Sequence, residues 1–204
     1  MTSMSSILLD SIWKMAAMQI PQLLCLAVLS TLGVSAQTIH PGKCPEPPVQ
    51  QNFDVPRYMG RWHEIQKLPA FFQKGKCAQA TYTLGDGVVK VVNDELLSDG
   101  TISSIEGTAK PTDPSEPAKL EVTFFPGAPA GNYWVLKTDY DNYTLVYGCS
   151  NLGGVYANYA WILSRSRTLP EETVAELRAT LTSSGIIIDK LTDSEQTGCE
   201  SMPK

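Results

Sequence analysis

The sequence predicts an all-β fold: an eight-stranded antiparallel up-and-down barrel with one C-terminal α-helix packed on its outside. Three observations carry the prediction. Eight β-rich runs follow one another, at about 61–68, 77–84, 88–96, 101–109, 118–125, 132–138, 143–149 and 155–164. The connections between them are mostly short, so consecutive runs pair as antiparallel neighbours. A single segment, after the last run, has helical periodicity. Eight strands in sequence can close on themselves and so remove exposed edges. A two-sheet sandwich would need longer crossovers than this chain offers.

Ahead of the barrel, residues 20–36 (IPQLLCLAVLSTLGVSA) hold an apolar run that ends in the small residues Val34, Ser35 and Ala36. The run falls short of the ~18 to 20 residues that a spanning helix requires. With Lys14 before it, it reads as a secretory signal peptide over residues 1–36, starting at Met1 or Met18. One domain then spans residues 37–204, and the expected location is extracellular. The leader carries one acid, Asp10, and one base, Lys14, so the net charge of −5 is the same without it. An acidic chain without basic clusters is not expected to bind nucleic acid. Cys25 leaves with the leader. The four cysteines that remain, Cys44, Cys77, Cys149 and Cys199, read as two disulfides with three pairings open. With no Cys-x-x-Cys knuckle, and His40 and His63 as the only histidines, no zinc site or other cofactor is expected.

Residues 37–57, rich in proline and polar side chains, read as an extended arm. Gly60 marks a conformational break at the head of the first strand, with Trp62 just inside it. Asp86-Gly87 and Asp99-Gly100, each between two β-rich runs, are hairpin signals. PTDPSEP, residues 111–117, lacks the N–H groups of a central strand and reads as a connection. FPGAPAGN is a loop, YDN a turn between the sixth and seventh strands, and VYANYAWILSR the last strand. In TLPEETVAELRATLTSSG, Pro170 suits the first helical turn, and Glu171 and Glu172 complement the positive end of the dipole. Val174, Leu177 and Leu181 form one apolar face, and Gly185 is placed to end the helix. That face should cover the outward Ala160 and Ile162 of the last strand.

Alternation assigns the inward side chains. If Lys90 and Asp94 face water, then Val89, Val91, Asn93 and Glu95 face in. If Glu121 and Thr123 face out, then Leu120, Val122 and Phe124 face in. Tyr159, Trp161 and Leu163 line the interior from the last strand. Such a barrel can hold one small ligand, and a small lipophilic molecule suits this apolar, aromatic lining. Asn93 and Glu95 are costly in a dry core, a cost that a wet cavity or a polar ligand end would relieve. G-x-S-x-G and H-E-x-x-H are absent. His63 alternates with Trp62 and is placed outside the barrel with no catalytic role, so the chain does not read as an enzyme.

Successive loops of a meander alternate between the two ends. LGDG, PTDPSEP and DYDN fall at one end. PAFFQKGK, ELLSDG, FFPGAPAG and CSNLGGVY fall at the other. The second set brings Phe71, Phe72, Leu96, Leu97, Phe125 and Leu152 to one rim, beside Lys74 and Lys76. An exposed apolar cluster of this kind marks an interaction surface, here for lipoprotein or membrane surfaces. The turn at the first end also carries Asn142-Tyr143-Thr144, the only N-glycosylation sequon.

Gly60-x-Trp62 at the head of the first strand, Thr138-Asp139-Tyr140 between the sixth and seventh, and Arg165 after the eighth resemble the three signatures of the lipocalins. The resemblance covers nearly the whole chain after the leader. It implies that Trp62 fills the closed end of the barrel with Arg165 across its indole, so that the apolar rim is the open mouth. It also implies the pairings Cys44–Cys149 and Cys77–Cys199, and adds Tyr82 and Tyr133 to the lining. For Tyr133 the alternation itself is ambiguous, because Lys137 shares its parity. The function implied is a secreted carrier of fatty acids such as arachidonic acid, or steroids such as progesterone; the family names no receptor for this chain. A tetrapyrrole or retinoid carrier is the alternative. A lipocalin-type prostaglandin isomerase needs a cavity thiolate, which four paired cysteines do not leave.

Overall fold

The computed structural model describes residues 39–204; the leader read over residues 1–36 lies outside them. The elements are β1 (Ile39–Pro41), α1 (Val55–Tyr58), β2 (Gly60–Lys67), β3 (Lys76–Gly85), β4 (Val88–Leu96), β5 (Ile102–Pro111), β6 (Lys119–Thr123), β7 (Gly131–Thr138), β8 (Tyr143–Asn151), β9 (Val155–Ser164), α2 (Glu171–Ser183) and β10 (Thr192–Asp193). From β2 to β9 each strand pairs antiparallel with the next, and β9 pairs back onto β2, which closes the eight-stranded ring. Two short strands join it from outside. β1, within the proline-rich arm, pairs with β9. β2 parts from β3 beyond the His63–Gln79 pair, and β10 takes the freed edge of β2 at Gln66 and Lys67.

The helix ends as its sequence suggests. Gly185 adopts φ +75°, its N–H donates to the Thr182 carbonyl, and Ile186 N donates to that of Leu181. This pair of bonds is the Schellman arrangement. Pro170 stands at the N-cap rather than inside the first turn. Leu177 and Leu181 are fully buried, as are Ala160 and Ile162 on the outer face of β9. Arg178 donates to Gln66 on β2, and Lys137 on β7 pairs with Glu176. The helix therefore lies along the outside of the ring.

A register shift in β7 between Val135 and Lys137 removes the ambiguity over Tyr133. The extra residue of a bulge reverses the alternation beyond it. Tyr133 pairs with the inward Leu120, whereas Lys137 points out to Glu176.

The outer face of β4 differs from expectation. Asp94 points away from the interior but is buried, bonded to Gln79 and Ser104. Leu96 is buried too, in a small cluster with Cys77, Cys199 and Met202, and so does not belong to the exposed rim. The cause is the C-terminal strap, residues 192–204. Alternation separates inside from outside, but does not show where a later segment covers the outside.

Two disulfides fix the extremities. Cys44–Cys149 holds the arm to β8, and Cys77–Cys199 holds the strap to β3. The second spans 122 residues, for which loop entropy sets a ceiling of about 5 kcal/mol. Cys77→Ser/Cys199→Ser should lower urea-unfolding stability by ~2 to 5 kcal/mol and expose residues 192–204 to limited proteolysis. An unchanged urea midpoint would show that the strap is held by its hydrogen bonds alone.

Candidate ligand-binding site

One end of the ring is sealed. Trp62, the second inward position after Gly60, is completely buried, and its Nε1 donates to the Tyr58 carbonyl at 3.0 Å. The Arg165 guanidinium carbon lies 3.7 Å from the centroid of the Trp62 ring system. Arg165 also donates to the carbonyls of Tyr140, Arg61, Arg57 and Tyr58. Gly60 has φ +93°, a conformation that favours glycine, and a Cβ there would meet only Arg165 Nη1 at 3.4 Å. Thr138, Asp139 and Tyr140 build the adjoining turn. The Thr138 hydroxyl donates to the Tyr143 carbonyl and accepts from Tyr140 N. Asp139 accepts from Asn142 and Tyr143, bonds that hold its carboxyl below the usual carboxylate range despite partial burial. Tyr140, at φ +69°, accepts from Asp54 N through its hydroxyl. Asn142 is exposed at the tip of this turn.

Above the seal lies a cluster of hydroxyls. Tyr133 Oη is 2.8 Å from both Tyr58 Oη and Tyr82 Oη, and the Thr144 hydroxyl donates to Tyr58 at 3.3 Å. Burial pushes the Tyr58 phenol up to about 12 and those of Tyr82 and Tyr133 well above the ordinary value. All three therefore stay neutral at physiological pH. Tyr58 comes from α1, a single turn that precedes the first barrel strand, and no strand or helix periodicity marks it in the sequence.

The strand register places Val89, Val91, Asn93, Leu120, Val122, Leu163 and Trp161 on the inner face of the ring, and Phe124, just past the end of β6, turns to the same side against Gly107, which pairs with Val91. Phe124 packs over Gly107, where a Cβ would come within 2.7 Å of its ring. Asn93 pairs across to the inward Ala80 in the same half of the barrel as Tyr82. Glu95 departs from expectation. Its carboxylate accepts from the N–H groups of Lys74 and Gly75, so it clamps the β2–β3 loop and the protein itself satisfies it.

At the other end that loop folds inward. The Trp161 indole donates to Gln73 Oε1 at 3.0 Å, and Gln73 Nε2 donates to Glu64 at 2.7 Å. Glu64, buried on β2, also accepts from Ser194 and pairs with Lys67 at 3.2 Å. Neither Gln73 nor Glu64 stood out in the sequence, because the partners that give them meaning are distant along the chain. Phe72 lies over Tyr159, which stacks on Trp161. On the rim Phe71, Phe72, Phe125 and Leu152 are more than half exposed. Leu97 is not among them. It lines a groove of about 640 Å³ between the β2–β3 loop, the β4–β5 turn and the strap. There Lys67 and Lys76 are already paired with Glu64 and Glu195, and no aromatic side chain lines the wall. This groove lacks the character of a lipophilic site.

His63 lies on the outer face opposite Gln79. Burial, with Arg167 and Arg61 nearby, lowers its pKa from 6.5 to about 4. Folding thus favours the neutral imidazole. The stability this provides is complete above about pH 6.5 and is lost as pH falls from there toward about 4. The side chain is only partly buried, so screening limits the effect to ~1 kcal/mol. Urea titrations at pH 7 and pH 4 should show wild type losing that much more stability than His63→Gln. Equal losses would remove His63 from the acid response.

Residues 53–196 match the family model of the lipocalin-like domain. Apolipoprotein D of Mus musculus is 50% identical over 184 residues, which cover 88% of this chain and 97% of that protein. Temperature-induced lipocalin-1 of Arabidopsis thaliana is 40% identical over 158 residues, 72% of this chain and 82% of that protein. Among solved structures, insecticyanin from the tobacco hornworm superposes with a TM-score of 0.70 at 30% identity, over 80% of this chain and 92% of its own. Lobster apocrustacyanin A1, at 22% identity and a TM-score of 0.69 over 79% of this chain and 93% of its own, shares the fold.

Proposed function

The chain belongs to the lipocalin family, and from that premise we propose that it is a secreted, non-enzymatic carrier of one small lipophilic molecule, a fatty acid such as arachidonic acid or a steroid such as progesterone. One observation carries this reading. The barrel is plugged at one end by Trp62 beneath Arg165, while its interior beyond the plug is walled by Val91, Val122, Phe124, Trp161 and Leu163. A cup of that lining takes up an apolar ligand by removing its surface from water. The four described cysteines are all disulfide-bonded, which suits an oxidising compartment and leaves no thiolate for isomerase chemistry. The exposed Asn142 is the acceptor we assign to the sequon.

Lipid extraction after native mass spectrometry of the secreted protein should identify the cargo. Arachidonic acid and progesterone should bind at micromolar Kd or better, ~ −8 kcal/mol, with a change in tryptophan emission. Trp161→Ala should weaken binding about tenfold through loss of buried aromatic contact, and His63→Ala should leave it unchanged. Equal affinities of the two variants would remove Trp161 from the site.

The rim formed by Phe71, Phe72, Phe125 and Leu152, with exposed Lys74 beside it, docks shallowly on lipoprotein or membrane surfaces during exchange. Phe71→Ser/Phe72→Ser should cut liposome co-sedimentation and ligand transfer from vesicles several-fold while leaving affinity for free ligand intact. Unchanged partitioning and transfer would reduce the rim to a lid over the mouth.

A further inference from the structure

The hydroxyl cluster above Trp62 does not satisfy itself. Tyr58, Tyr82, Tyr133 and Thr144 bring four hydroxyl protons, and three hydrogen bonds join the four oxygens. Tyr133, the hub, has one proton for two neighbours, so one of its two bonds must use a neighbour's proton. However the protons are arranged, one O–H is left over inside the cluster, together with several acceptor lone pairs. Tyr58 and Tyr82 are at least 95% buried and Thr144 is fully buried. A buried donor without an acceptor carries a desolvation penalty.

The neighbourhood limits what can meet that proton. Arg165, the nearest cation, directs its N–H groups to four backbone carbonyls on the far side of the Trp62 indole. An ionised carboxylate placed against the tyrosines would receive one proton and no counter-charge, a poor match for a buried anion. A neutral oxygen function fits. A ketone accepts the spare proton, and a hydroxyl accepts it while donating its own to a spare lone pair. Near the mouth the polar groups are already partnered, Trp161 by Gln73, Gln73 by Glu64, and Glu64 by Ser194 and Lys67.

We propose that the site selects lipids with an oxygen at both ends: a neutral hydroxyl or keto group that enters first and bonds the Tyr58–Tyr82–Tyr133 cluster, and a charged or hydrated head that stays at the mouth. This deepens the carrier reading and rests on it. Tyr58 packs tilted against Trp62, stacks on Tyr82 and lies deepest, so Tyr82 and Tyr133 present the cluster to the ligand.

The probes are hexadecanoic acid, 2-hydroxyhexadecanoic acid and 16-hydroxyhexadecanoic acid, titrated by calorimetry against wild type and Tyr82→Phe/Tyr133→Phe. In wild type the 16-hydroxy acid should bind roughly three- to tenfold more tightly than hexadecanoic acid, the span of one net hydrogen bond. The 2-hydroxy acid, whose hydroxyl sits beside the carboxylate, should gain nothing. In the double variant the advantage of the 16-hydroxy acid should vanish while hexadecanoic acid still binds. Equal binding of hexadecanoic and 16-hydroxyhexadecanoic acids to wild type overturns the proposal and leaves the carrier reading standing. So does a preference for the 2-hydroxy acid, which would place the carboxylate end at the floor. If none of the three acids binds wild type at micromolar concentration, the carrier reading falls, and this proposal with it. The wild-type comparison decides even if the double variant fails to fold.

Discussion

The closure around Trp62 is the constraint on which the rest of the cup depends. A ring of eight strands is a tube, and an apolar tube open at both ends would fill with water. Trp62 plugs it, and Arg165 holds the plug by lying across the indole and bonding carbonyls from four positions. These carbonyls belong to α1, to the start of β2 and to the β7–β8 turn, while Arg165 itself follows β9. A single planar guanidinium thus joins three chain segments at the closed end to the end of β9. Cation–π attraction contributes ~1 kcal/mol or more, and bonds from a charged donor to carbonyls add ~1.5 to 3 kcal/mol each. Lysine, with its compact head, would not match so many acceptors in one plane.

Tyr58 transmits this closure to the cavity. Its carbonyl receives both Trp62 Nε1 and Arg165, and its hydroxyl begins the cluster on the inner side. Its ring packs tilted against Trp62 and meets Phe53 edge-on. The groups that seal the barrel therefore also set the chemistry of its floor. Because Arg165 directs four of its five N–H groups to backbone carbonyls, its charge secures the seal without making the floor an anion site.

Much of this was legible in the sequence, and the exceptions have identifiable causes. Alternation placed Val91, Val122 and Trp161 on the inner face because their strands are regular there, and Phe124 follows the same side although β6 ends one residue before it. It left Tyr133 undecided because β7 carries a bulge that no residue type announces. It put Asp94 and Leu96 in water because both do point outward, and only the strap, more than ninety residues further along, covers them. Glu95 was read as awaiting a ligand because its partners are two backbone N–H groups of a loop, which composition does not reveal. Tyr58 escaped because a single helical turn has no period to detect. Local rules recovered what is local, and the misses involve a distant partner, an irregular strand or an element too short to have a period.

The distribution of satisfied and unsatisfied polar groups also orients the cup. Near the mouth Trp161, Gln73, Glu64, Lys67 and Ser194 form one continuous chain of contacts, which links the β9 wall through the β2–β3 loop to the strap beyond β10. With its N–H occupied, Trp161 presents an apolar face, and that part of the wall offers a passing lipid few polar contacts. Glu95 adds to this by fixing the loop from the other side. A ligand moving inward therefore meets an aromatic belt before it reaches the hydroxyl cluster. Each step removes more of its apolar surface from water, and the floor supplies the directional contact that fixes its end. Affinity in such a site comes mainly from area, whereas discrimination between ligands of equal area comes from the spare hydroxyl proton of the floor cluster.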